Sequence, residues 1–267
     1  NPPAACCVTG HEHSGTPTGT FIQLPNTTIT AYLTIPPTTP PTTQTTTTHP
    51  TTKAILFIPD VLGLWPNNLL LADRFASETG HLVLLPDIYT SDPFKLHKPF
   101  SLIEPTDDLV TDWAARGSDG KSPHTPAQID PIVDASITYL RAVHSVARLG
   151  AVGYCLGAKY LVRFLDTTKG KIDVGFVAHP SFVTEEELWA SRGPLSVAAA
   201  EGDLIFTKEL RHKTEEILKK KGEVWSIGLL GGVAHGFAVR GHPESTLDEW
   251  AKEEALGMAV RFFGTWL

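Results

Sequence analysis

Six short apolar runs, each bounded by turn residues, constrain this chain more than any other feature. They are AILFIP (54–59), HLVLLP (81–86), RLGAVGY (148–154), DVGFVAH (173–179), LSVAAA (195–200) and EVWSIG (223–228). Near-continuous apolar strands suit a parallel sheet covered on both faces. Helical patterns separate them, at roughly 67–79, 126–147, 156–168, 205–221 and 245–264. The last carries Leu247, Trp250, Ala251, Leu256, Ala259, Val260 and Phe263 as an apolar stripe for packing on the sheet. Alternating strand and helix predict an α/β architecture, a mostly parallel twisted sheet with helices on both faces and right-handed crossovers. An earlier alternation, Ile29, Ala31, Leu33 and Ile35 against polar neighbours, reads as a half-buried strand.

At 267 residues the chain is read as one domain over 1–267, long enough to bury a core without staples. Residues 36–52 hold ten Thr and five Pro in 17 positions, with almost nothing to bury; an extended surface loop is expected. Residues 1–27 are turn-rich. Residues 91–125 carry little pattern and read as an excursion over the sheet's carboxyl edge, where such folds bind ligands. With 22 Lys and Arg against 29 Asp and Glu, the formal charge is −7. Neither nucleic acid nor an anionic membrane is an expected partner, because both call for a basic face. No apolar run approaches the roughly 18 residues of a membrane span, and no leader pattern is visible. Three cysteines, two of them adjacent (Cys6 and Cys7), make no disulfide framework, and a cytoplasmic setting is expected.

The chemistry concentrates at Gly153-Tyr154-Cys155-Leu156-Gly157, between a predicted strand and a predicted helix. This is a Gly-x-nucleophile-x-Gly elbow with cysteine as the nucleophile. The strand-to-helix turn is so tight that a Cβ at either flank would strike backbone. The thiol stands at a helix N-terminus, whose N–H groups and positive dipole end favour the thiolate over a thiol of ordinary pKa, about 8.5. An acid and a histidine should follow in that order. Asp203 stands just past LSVAAA, with Glu201 as its rival. His235 lies in the glycine-rich loop after EVWSIG. His179, at a strand end before Pro180, is a candidate for the pocket wall. His11-Glu12-His13 near Cys6 and Cys7 matches no common zinc spacing and reads as a polar segment packed on the body, so no metal is expected.

These residues resemble the dienelactone hydrolase family of α/β-hydrolases, particularly its fungal members. GYCLGAKY, AAEGDLIF, VAHGFAVRG and ACCVTGHEHSGTPTG carry the resemblance over most of the chain. It implies an α/β-hydrolase fold, a Cys155, Asp203 and His235 triad, and an oxyanion hole from the N–H groups of Val61 and Leu156. Two departures stand out. Bacterial members place a Glu after the strand that AILFIP represents; here Asp60 is one methylene shorter. They also use two arginines for a substrate carboxylate. Arg240 matches one approximately, an ordinary loop arginine being the plain alternative, and Thr90-Ser91 follow Tyr89 where the other would be. Asp60, Tyr89, His179, Phe237 and Arg240 are the candidate substrate-binding residues, and replacing Asp60 is expected to change thiol reactivity more than stability.

The function expected is cofactor-free cleavage of a small lactone or ester through a thioester on Cys155, by a monomer or homodimer. Two alternatives stay open: a biosynthetic cyclase, isomerase or lyase using His235 as a proton shuttle, and a non-catalytic ligand-binding protein.

Overall fold

The computed structural model describes residues 10–37, 53–94, 109–169 and 171–267. Cys6, Cys7 and most of the Thr/Pro-rich stretch lie outside the described residues. One eight-stranded sheet organises the chain. Its strands are β1 (Thr20–Gln23), β2 (Thr30–Thr34), β3 (Lys53–Ile58), β4 (Leu82–Pro86), β5 (Arg148–Tyr154), β6 (Val174–Ala178), β7 (Leu195–Ala200) and β8 (Trp225–Leu230), in the order β1-β2-β4-β3-β5-β6-β7-β8. Pairings from β4 through to β8 are parallel, while β1 with β2 and β2 with β4 are antiparallel. All six apolar runs form these parallel strands.

β3 to β7 lack polar alternation because both of their faces are covered, whereas β8, at the sheet's edge, is only partly buried. Ile55, Phe57, Val83 and Leu85 join a core against α1 (Pro66–Thr79) and α8 (Thr246–Trp266). Ala54, Leu56, Ile58, Leu82 and Leu84 join the opposite core, with α3 (Pro126–His144) and α4 (Leu156–Phe164). α5 (Glu185–Ala190) and α6 (Lys208–Lys221) bury Leu188, Ile217 and Leu218 on that second side. The expected stripe of α8 needs one correction. Leu247 and Trp250 are exposed, and Ala251, Ala255, Leu256, Ala259, Phe262 and Phe263 carry the buried face. Those six lie on a single side of the helix at four- and three-residue steps, which leaves the Trp250 position flanking it.

The chain leaves β3 for β4 on one side and returns to β5 on the other. The reversal falls beyond the carboxyl ends of β3 and β5, the position where open α/β sheets bind ligands. Asp60 and Val61 follow β3, and Cys155 follows β5. Part of the 91–125 excursion forms α2 (Leu109–Arg116), whose Trp113 packs against Tyr89 in the loop after β4. Asp92 anchors it, its carboxylate accepting from the Ser118 N–H at 2.9 Å and lying 3.0 Å from His124 Nε2. No helix among the described residues is long and apolar enough to cross a membrane.

Candidate active site

Cys155 sits at the tip of the elbow as the N-cap of α4, with φ 51° and ψ −116°. That is a left-handed conformation uncommon for a residue with a side chain, and such strain clusters at functional sites. The flanking glycines do the work expected of them. A Cβ on Gly157 would lie 2.1 Å from the Ile58 carbonyl oxygen, and one on Gly153 would lie 2.8 Å from the Gly157 carbonyl oxygen. The turn therefore closes onto the end of β3. The Cys155 side chain is fully buried.

The loops after β7 and β8 bring the acid and the histidine together. His235 Nδ1 lies 2.9 Å and 3.1 Å from the two Asp203 oxygens, and both side chains are buried. Asp203 Oδ1 also accepts from the N–H groups of Ile205 (2.8 Å) and Phe206 (2.9 Å). Glu201, the rival acid, instead accepts from the Gly232 N–H at 2.9 Å and braces the histidine's loop. The far side of the imidazole is hydrogen-bonded to the Cys155 side chain. Burial pulls the His235 pKa down, but the charge of the sulfur and the bonds to Asp203 and Cys155 outweigh it and push it up to about 9. Burial works against the Asp203 carboxylate as well, yet His235 and the two N–H donors hold it below the usual carboxylate range.

The candidate pocket residues distribute around this axis. Asp60 is fully buried; its Oδ1 accepts from Asn68 Nδ2 at 2.9 Å and from the Leu62 N–H at 3.1 Å. Its Oδ2 lies 3.1 Å from Arg240 Nη1, a close ion pair rather than an aligned hydrogen bond. Burial raises the Asp60 carboxyl, Arg240 opposes this, and the Cys155 sulfur adds to it, so the carboxyl is close enough to feel the thiol. Tyr89 is fully buried against Trp113 and His124, and its hydroxyl has no hydrogen-bond partner among the described residues. Burial holds that phenol far above its ordinary pKa, with Asp60 and Cys155 as the nearest charges. The His179 ring packs edge-on against His235 at 4.9 Å and Phe237 at 5.7 Å; burial first, then His235 and Arg240, keeps it neutral. Val61 follows β3 and Leu156 opens α4 directly after Cys155.

Ser181 was not foreseen. Its hydroxyl lies 3.3 Å from the Cys155 sulfur. The only sequence sign was its place, three residues past the end of β6 on the site's edge. His11-Glu12-His13 packs on the body as expected, with the His11 N–H donating to the Arg240 carbonyl at 3.0 Å. No group of residues suited to a metal ion occurs among the described residues. A cleft of about 690 Å³ lies elsewhere, between the end of β2 and α1, and none of the site residues lines it.

The model of the dienelactone hydrolase family matches residues 41–267. The chain belongs to the dienelactone hydrolase family. Membership makes it a hydrolase of the ester- and lactone-cleaving kind. Hydrolase tropI of Talaromyces stipitatus is 37% identical over 269 residues, covering 100% of this chain and 97% of that protein. Hydrolase pyvD of Aspergillus violaceofuscus is 38% identical over 268 residues, covering 100% and 98%. A dienelactone hydrolase structure from Anabaena variabilis superposes with a TM-score of 0.61 at 11% identity, covering 96% of this chain and 100% of that one. At that identity it speaks for the fold alone, which is the α/β-hydrolase fold of the family.

Proposed function

We propose that this dienelactone hydrolase family member cleaves a small neutral lactone or ester through a thioester on Cys155. The observation that carries the reading is the His235 imidazole, held at Nδ1 by Asp203 and hydrogen-bonded on its other side to the sulfur. With Nδ1 committed to the carboxylate, Nε2 is the nitrogen that exchanges a proton with Cys155. A histidine whose pKa is pushed up to about 9 keeps that proton at neutral pH, which favours a thiolate–imidazolium pair.

The thiolate attacks the acyl carbon, and the developing oxyanion is received by the N–H groups of Val61 and Leu156. Losing one such donor commonly costs about 100- to 1000-fold in rate. His235 gives its proton to the departing alkoxide, then takes one from the water that attacks the thioester. Proton and electron pair move only among Cys155, His235, substrate and water, so the reaction is complete without a cofactor. Arg240 is turned toward Asp60, which favours an uncharged acyl group over a carboxylate. The buried Tyr89 hydroxyl supplies a hydrogen bond to a polar substituent on that group.

The test is a panel of aryl esters and small lactones, with products read by mass. Hydrolysis adds one water, and Cys155→Ala is expected to abolish it with the fold intact. Wild-type turnover in Cys155→Ala would remove the nucleophile assignment. A product of unchanged mass, still formed by that variant, would favour isomerisation with His235 as proton shuttle.

A further inference from the structure

The turn after β6 is shaped around the nucleophile. His179 and Phe182, neither of them glycine, adopt φ values of 37° and 59° on either side of Pro180-Ser181. Left-handed backbone at two such residues is costly and persists only where the surroundings impose it. The constraints are visible. The Ser181 N–H donates to the Cys155 carbonyl at 3.0 Å, and the His179 N–H donates to the Ala198 carbonyl at 2.9 Å. Lys159 Nζ donates to the Phe182 carbonyl at 3.2 Å. The result is a buried hydroxyl 3.3 Å from the sulfur, bolted through its own backbone to the residue it faces.

We propose that Ser181 is a thiolate-binding residue, its hydroxyl donating a hydrogen bond to the Cys155 sulfur in the resting enzyme. The assignment rests on the reading of Cys155 as the nucleophile with His235 as its proton acceptor. A thiolate can only accept, so the hydroxyl is the donor. Three titratable groups face the same sulfur: His235 from the loop after β8, Asp60 from the loop after β3, and Tyr89 from the loop after β4. Asp60 opposes a charge on sulfur, while His235 and Ser181 favour it.

The bond matters in both half-reactions. During acylation the S–C bond forms, the carbonyl electron pair moves to oxygen, and Ser181 releases the sulfur as its charge disappears, keeping its own proton. During deacylation the C–S bond breaks, the electron pair returns to sulfur, and Ser181 receives the anion again. The hydroxyl therefore eases thiolate departure and moderates thiolate attack.

The experiment titrates the thiolate by its ultraviolet absorbance in wild type, Ser181→Ala, Ser181→Thr and Ser181→Val, each against its own Cys155→Ala counterpart. Removing the donor is expected to raise the midpoint by about one to two pH units, because hydrogen bonds to a charged group are among the stronger ones. Thr should restore the wild-type midpoint, and Val should match Ala. Should Ala fail to fold, the Thr and Val pair still isolates the hydroxyl. Iodoacetamide alkylation, read on the Cys155 peptide to separate it from Cys6 and Cys7, should run roughly threefold faster per thiolate for each unit the midpoint rises. An unchanged midpoint in Ala or Val, or a Thr variant that titrates with them, would overturn the proposal. The outcome is independent of turnover: retained hydrolysis in Cys155→Ala defeats the nucleophile reading, whereas the titration reports on the Ser181–sulfur bond alone.

Discussion

His235 is the residue whose protonation the fold alters most usefully, and the alteration can be read directly. Its imidazole should titrate near pH 9 by NMR, because the sulfur and Asp203 outweigh the cost of burial. Cys155 is the first of the raising influences, so Cys155→Ala should bring the His235 midpoint down; an unmoved midpoint would place the charge elsewhere. The linkage has a definite sign. A histidine raised from 6.5 to about 9 contributes stability that is complete below pH 6.5 and lost as the pH rises through about 9. A thiolate on Cys155 carries the opposite linkage, its stability gained as the pH rises toward the free thiol's value of about 8.5, so the two offset and wild-type melting temperatures should change little across that window; a steep fall would mean that Cys155 keeps its proton. Cys155 and His235 were legible in the sequence because their signals are local: an elbow between strand and helix, and a glycine-rich loop after a late strand. Ser181 was not, since its meaning comes from a turn brought against Cys155 by strand pairing, and a serine after a strand carries no signal of that.

The elbow is a junction of elements, and its most sensitive point is Gly157. A methyl group there would meet the Ile58 carbonyl oxygen at 2.1 Å and that of Pro59 at 2.6 Å. Both are backbone atoms at the end of β3, and neither can swing aside as a flexible side chain would. Gly157→Ala must part α4 from β3, and overpacking of this kind typically costs about 1–3 kcal/mol or more. It should also depress turnover beyond the stability loss, because the same displacement moves Val61 relative to Cys155. Gly264→Ala is the control. It lies in α8 with nothing within 4 Å of its Cβ position, and Ala there should gain about 0.5–1 kcal/mol. Equal melting temperatures for the two variants would contradict the packing account. The buried elements were readable because burial on both faces wrote itself into the strands as unbroken apolar runs. β1 was missed for the opposite reason: it is an edge strand, largely exposed, with no apolar face to betray it. The four-residue helix α7 (Phe237–Arg240) was also missed, since so short a turn carries no period.

Over the whole molecule, three distant stretches of chain converge on the Asp60–Arg240 pair. Asp60 follows β3, Arg240 closes α7, and the segment at His11 binds the Arg240 carbonyl. Asn67 of α1 completes the junction, its amide donating to the carbonyls of His11 and Val239 at 2.8 Å each. Sequence alone suggested that replacing Asp60 would alter thiol reactivity more than stability. A buried guanidinium changes that expectation, because removing the carboxylate paired with it takes an anion from beside a buried cation. Asp60→Asn should therefore cost about 3–5 kcal/mol in urea unfolding. Arg240→Met should cost less, since the stranded Asp60 can take up a proton; burial already raises its pKa and Arg240 is the main influence opposing that rise. This asymmetry has a pH signature. Without Arg240 the folded protein holds a proton on Asp60 that the unfolded chain releases near pH 4, so stability falls as the pH rises through the elevated folded pKa. Arg240→Met should thus lie nearer wild type at pH 5 than at pH 8. Joining the two substitutions removes both charges together, and the double variant should be more stable than the sum of the single losses predicts. Strict additivity, or an Arg240→Met deficit independent of pH, would mean that the pair does not couple these three parts of the chain.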